Sequence, residues 1–167
     1  MNTQYTSQLD PHSHSLSQVP LVKEPPERMY LKTPQDILPF CQDILGLDQE
    51  GLFVVALKAN NTVIERRLIT FGILDASLAH PREVFRYAIV RNTAKIVLVH
   101  NHPSGNNQPS VEDLRITKQL IQAGTVIGIR VIDHLILGDP QDVLGMASKI
   151  FSIRETGLCD FNFTVPS

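Results

Sequence analysis

The stretch HNHPSGNNQPSVED at 100–113 sets two imidazoles, a hydroxyl and a carboxylate in the pattern H-x-H-x7-S-x2-D. Alternate side chains of an extended segment project to the same side, so His100 and His102 can share one ion. The loop rich in Pro, Ser, Gly and Asn then turns the chain back. Asp113, in the first turn of a following helix, can offer a carboxylate as third ligand. Two histidines and one carboxylate suit zinc, which leaves its fourth tetrahedral position to a water whose pKa falls from 15.7 to about 7. A second reading competes with this one. Ser110 and Asp113 also have the spacing of a capping box, and the histidines would then be satisfied core or loop residues. That reading accounts for Ser and Asp but not for two histidines leaving the end of a buried strand, where unpartnered polar groups are costly.

The elements that must position these residues follow from apolar periodicity. Thr33 and Pro34 read as an N-cap and first helical position, with Ile37, Phe40, Ile44 and Leu45 as the apolar stripe, Pro39 as a kink and Gly46 as the stop. Leu52–Leu57 and the segment from Val63, joined through Asn60 and Asn61, predict a β-hairpin. Pro81 opens a helix to about Arg91. Ile96, Val97, Leu98 and Val99 form a buried strand that delivers His100, Asn101 and His102 into the loop. A long helix is expected from Val111 to Ala123, stopped by Gly124, followed by strands near Val126–Ile132 and His134–Leu137. The order αββαβαββ implies an α/β or α+β domain with a mixed central sheet flanked by helices.

A chain of 167 residues with 43% hydrophobic content supports one core plus tails. Residues 1–28 are polar and contain Pro25 and Pro26, so they read as a flexible tail in which the pair His12 and His14 lacks a third ligand. Residues 29–158 form the domain and 159–167 a C-terminal tail. No membrane span or signal peptide is visible, which predicts a soluble, cytoplasmic protein. Cys41 and Cys159 lack the paired spacing of a redox or zinc motif and read as reduced, bland thiols. A net charge of −2 gives no support to binding through phosphates, although Arg66, Arg67, Arg82, Arg86, Arg91 and Lys95 could gather on one side. The apolar face of the Pro34 helix could, if exposed, pair two copies as a homodimer.

Four segments carry a resemblance: Glu50 with the strand LFVVAL, HPREVFRYAI at 80–89, HNHPSGNNQPSVED at 100–113, and GIRVIDHLILGD at 128–139. Together they resemble the RadC-like branch of the JAB/MPN metalloprotease family over about residues 30–158. The resemblance implies the cytidine-deaminase-like MPN/JAB fold, the JAMM motif and one zinc per chain on His100, His102 and Asp113. It implies peptide or protein substrates, since characterised members are often zinc isopeptidases. It also assigns Glu50 as general base, a choice that spacing cannot make among Glu50, Glu65, Glu83 and Glu112. Glu112 neighbours a ligand but should point elsewhere on its helix. Ser110 would then donate a hydrogen bond to the oxyanion of a tetrahedral intermediate as well as capping its helix.

Other residues of these segments read more plainly. Asn101 and Ser104 are expected to form the turn. Asp133 and His134 either hold a ligand histidine or satisfy backbone groups. The chain departs from the family in two places. Longer RadC-like proteins carry an N-terminal helix-hairpin-helix region associated with DNA binding, where this sequence has its polar tail, and DPQDVLGMASK at 139–149 is an added stretch. The leading expectation is a zinc peptidase or isopeptidase. The alternatives are a DNA-repair or nucleic-acid-associated scaffold without proteolytic activity, and an inactive scaffold whose zinc only braces a loop.

Overall fold

The apolar run after Glu50 forms the centre of a six-stranded sheet because both of its faces find cover. The computed structural model describes residues 19–72, 79–138 and 149–164. In chain order the elements are β1 (Val22–Lys23), α1 (Leu38–Cys41), β2 (Gly51–Leu57), β3 (Val63–Phe71), α2 (Pro81–Val90), β4 (Lys95–Asn101), α3 (Val111–Ile127), β5 (Arg130–Leu137) and β6 (Ile150–Ser152). The sheet order is β1-β3-β2-β4-β5-β6, and the β4–β5 pair is parallel while the others are antiparallel. The mixed central sheet flanked by helices expected from the sequence is present.

Alternation divides the core. Leu52, Val54, Ala56, Ile96 and Leu98 face α2 and α3, where Val84, Phe85, Ile116 and Leu120 meet them. Phe53, Val55, Leu57, Val97 and Val99 face Ile37, Phe40, Cys41 and Ile44 on the other side. The Pro34 helix is therefore not one exposed amphipathic rod. It is a short α-helix between two 3-10 turns, Pro34–Ile37 and Gln42–Ile44, and the apolar face expected to pair two copies is buried against the sheet. The thiol of Cys41 lies inside this layer, where burial pushes its pKa up to about 11.

Arg66 does not join a basic surface. It is fully buried on β3 and makes two bonds to Asp43, Nη1 to Oδ1 at 2.7 Å and Nη2 to Oδ2 at 2.6 Å. Lys23 of β1 reaches the same carboxylate at 3.0 Å. Arg91 pairs with Glu65 at 2.7 Å and Arg82 with Glu83 at 3.2 Å, so the six basic residues do not form one face.

Four further expectations need correction. Val22 and Lys23, inside the segment read as a tail, pair with Arg67 and Arg66 of β3, and Val19 is buried. At the other end Cys159 and Phe161, in the segment read as a C-terminal tail, join the core, where their apolar side chains are buried. Helix α3 runs past Gly124 and stops at Gly128, whose φ of 84° is left-handed. Gly124 is needed for another reason: a Cβ there would lie 2.4 Å from the Ile129 carbonyl oxygen, so glycine lets β5 begin hard against the helix. One strand, β5, replaces the two expected between 126 and 137. His12, His14 and nearly all of the added stretch at 139–149 lie outside the described residues. Among the described residues no helix is long and apolar enough to cross a membrane.

Candidate metal centre

Strand register explains how a distant carboxylate reaches the histidines. β2 runs antiparallel to β4 with Leu52 opposite His100, so Gly51 falls beside Asn101 and Glu50 beside His102. Residues directly opposite share a face of the sheet, which puts Glu50, His100 and His102 together on the side covered by α3. The loop after His102 returns the chain to Ser110, the N-cap of α3. Asp113 accepts the Ser110 amide on Oδ2 at 2.6 Å, while the Ser110 hydroxyl accepts the Asp113 amide at 3.1 Å. The capping box and the approach of Asp113 to the histidines coexist. The sequence left them as rival explanations.

Ligand-type atoms of Glu50, His100, His102 and Asp113 all lie within 4.8 Å of one another, a group that can hold a metal ion. Donors about 2.1 Å from a shared ion at tetrahedral corners are about 3.4 Å apart. His100 Nε2 is 3.3 Å from Asp113 Oδ1, and His102 Nε2 is 3.4 Å from Asp113 Oδ2. Glu50 Oε1 lies 3.5 Å and 3.4 Å from the same two nitrogens. The two Nε2 atoms are closer, at 2.8 Å.

The proton inventory favours a cation at this point. His102 Nδ1 is 2.6 Å from the Asn106 carbonyl, which can only accept, so Nδ1 carries the hydrogen and Nε2 presents a lone pair to the cluster. Two carboxylates face that lone pair. A proton on Nε2 would be donated to the Asp113 carboxylate, which raises the pKa of His102, so a proton competes with an ion for the same place. Burial opposes ionisation of Asp113, but His102, His100 and Ser110 together hold its pKa well below the usual carboxylate range. His100 is fully enclosed, and burial, reinforced by neighbouring His134, keeps it neutral. Only Glu50 and His102 leave a fraction of their side chains to solvent, 28% and 15%. Access to the cluster is from their side.

Residues 31–158 match the RadC-like JAB domain. The chain belongs to that family. A UPF0758 protein of Desulforamulus reducens is 42% identical over 132 residues, covering 78% of this chain and 55% of the relative. One from Caldanaerobacter subterraneus is 40% identical over 136 residues, covering 81% and 55%. A third, from a Geobacillus species, is 43% identical over 131 residues, covering 78% and 54%. The chain spans about half the length of the curated relatives it matches.

The rival acids of this RadC-like domain are engaged elsewhere: Glu65 with Arg91, Glu83 with Arg82, and Glu112 with Arg115 at 2.7 Å. Asp133 and His134 separate. Asp133 accepts from the Ser152 hydroxyl at 2.7 Å and the Arg154 amide at 3.1 Å, bracing the chain at β6, whereas His134 Nε2 lies 2.8 Å from His100 Nδ1.

Asn101 is the residue that sequence reasoning missed. It is buried on β4 rather than turning the loop, and its amide clamps the backbone on both sides of Glu50. Its Oδ1 accepts from the Gly51 amide at 3.0 Å, and its Nδ2 donates to the Gln49 carbonyl at 3.1 Å. No short-range signal identifies such a role, since the partners are 50 and 52 residues away. Asn101→Ala is expected to release the Gly51 amide, which should then exchange with solvent markedly faster. Amide hydrogen exchange checks this, and unchanged protection at Gly51 would mean that strand pairing rather than Asn101 holds that backbone.

Proposed function

We propose that this RadC-like domain is a zinc-dependent hydrolase of amide bonds, a peptidase or isopeptidase acting on peptide or protein substrates. The observation that carries the reading is the convergence of two imidazole lone pairs and two carboxylates at one edge of the core, with solvent access beside Glu50. His100, His102 and Asp113 would hold the ion. Zinc bound there supplies Lewis acidity, which brings the pKa of a coordinated water to about 7.

Glu50 is the base in this scheme. Its Oε1 is within reach of both ligand nitrogens yet remains open to solvent, so it can accept a proton from the attacking water and return it to the leaving amine. The engagement of Glu65, Glu83 and Glu112 with arginines supports that choice. Ser110 completes the scheme. Its oxygen already accepts the Asp113 amide, which leaves its single O–H to donate to the oxyanion that develops on the scissile carbonyl.

Elemental analysis of purified protein beside a His102→Ala variant tests the assignment. About one zinc per chain is expected in the wild type and none in the variant, because the two remaining ligands cannot complete the site. Equal zinc in both proteins would remove His102 from the site, and a different metal in the wild type would overturn the choice of zinc.

A further inference from the structure

We propose that Thr117 and His134 are positioning residues that fix the tautomer of His100 and so present its Nε2 to the metal; this rests on the zinc reading above. The proof is a count of hydrogens along a buried chain. The Thr117 hydroxyl donates to the Asp113 backbone carbonyl at 2.6 Å, and a carbonyl has no hydrogen to give back. The one proton of that hydroxyl is therefore spent. His134 Nδ1, 2.5 Å from the same oxygen, must be the donor to it.

With its hydrogen on Nδ1, His134 offers a lone pair at Nε2. His100 Nδ1 stands 2.8 Å away and must supply the hydrogen for that contact. His100 then has no hydrogen on Nε2, the nitrogen that faces Asp113 and His102. The direction of every bond is set by a backbone carbonyl three groups away.

Burial makes the chain binding rather than optional. Thr117, His134 and His100 are all 0% exposed, so water cannot replace a lost donor or acceptor. The fold supplies the geometry. Thr117 lies one helical turn beyond Asp113 on α3, and His134 sits opposite Leu98 on β5, next to the strand that carries His100. Because the terminal acceptor is the main chain of Asp113, the relay joins the backbone of one ligand to the ring of another. Removing the hydroxyl frees His134 to move its hydrogen to Nε2 and donate to His100. The hydrogen of His100 would then occupy Nε2 and block the metal.

Two measurements on the full chain test this. Long-range nitrogen–proton correlation spectra of the metal-free wild type should show His100 with its hydrogen on Nδ1. Competition with a chromogenic chelator for Zn²⁺ should show Thr117→Val binding about 10- to 100-fold more weakly, with Thr117→Ser restoring wild-type affinity. A His100 hydrogen on Nε2 in the wild type overturns the proposal, as does a folded Thr117→Val protein with unchanged affinity. If the valine variant does not fold, the wild-type spectrum decides alone. Zinc that is lost in His102→Ala but unmoved by Thr117→Val sinks the relay and leaves the zinc site standing; a wild type that binds no zinc sinks the zinc site, while the spectrum still judges the relay.

Discussion

Glu50→Gln should retain zinc and lose about 10²–10⁴-fold in turnover, the usual contribution of a positioned general base. The substitution keeps shape and hydrogen-bonding capacity but removes the ability to take a proton. The variant also separates two roles that geometry alone leaves adjacent, because Glu50 Oε1 stands as far from the histidine nitrogens as Asp113 does. A base leaves the metal in place when neutralised, whereas a fourth ligand takes zinc away with it. Zinc content measured beside cleavage of a quenched fluorescent peptide library reads both. Wild-type rates in the variant would move the base elsewhere, and loss of zinc would make Glu50 a ligand.

The largest effect on stability is expected on the opposite face of the sheet. Asp43→Ala strands the fully buried guanidinium of Arg66, which keeps the Phe40 carbonyl at 2.8 Å but loses both carboxylate bonds. Breaking a buried pair from one side costs about 3–5 kcal/mol, and the lower end applies because Asp43 retains some solvent contact. At about 2–4 °C per kcal/mol for a chain of this size, the melting temperature should fall by about 6–12 °C. The same pair sets a pH window. Burial alone would raise the Asp43 pKa, but the bonds and charges of Arg66 and Lys23 bring it from 3.8 to about 2. A depressed folded-state pKa stabilises above the unfolded value and loses that contribution as pH falls from about 4 through about 2. Thermal melts should therefore show wild type and variant well separated near neutral pH and converging toward pH 2. A constant separation across that range would assign the stabilisation to packing.

Much of the architecture was legible because the signals are local. The run Ile96–Val99, the Asn60-Asn61 turn and the helix starting at Pro81 each follow from a few neighbouring residues, and so does the same-side projection of His100 and His102. What escaped depends on pairing across the sheet. Glu50 could be chosen only by family resemblance, because its place beside His102 is set by the β2–β4 register. Asn101 looked like a turn residue by type, yet its hydrogen bonds span the strand pair.

His134 shows the limit most clearly. The β4–β5 register slips between Ile96 and Val97, which pair with Val131 and Asp133, so Ile132 is the extra residue of a bulge. Strict alternation from Val131 would turn Asp133 toward α3; the bulge turns His134 there instead. A reading by period two has no means of finding that switch. Gly124 was misread for a related reason: glycine near a helix end suggests a stop, while here it makes room for a neighbouring backbone.

Among the described residues the cluster at the end of β4 is a group of nitrogen and oxygen donors, and neither buried cysteine belongs to it. That donor set has no sulfur to oxidise. Thiol oxidants should therefore leave these four side chains chemically unaltered, which would not hold for a cysteine in the same place.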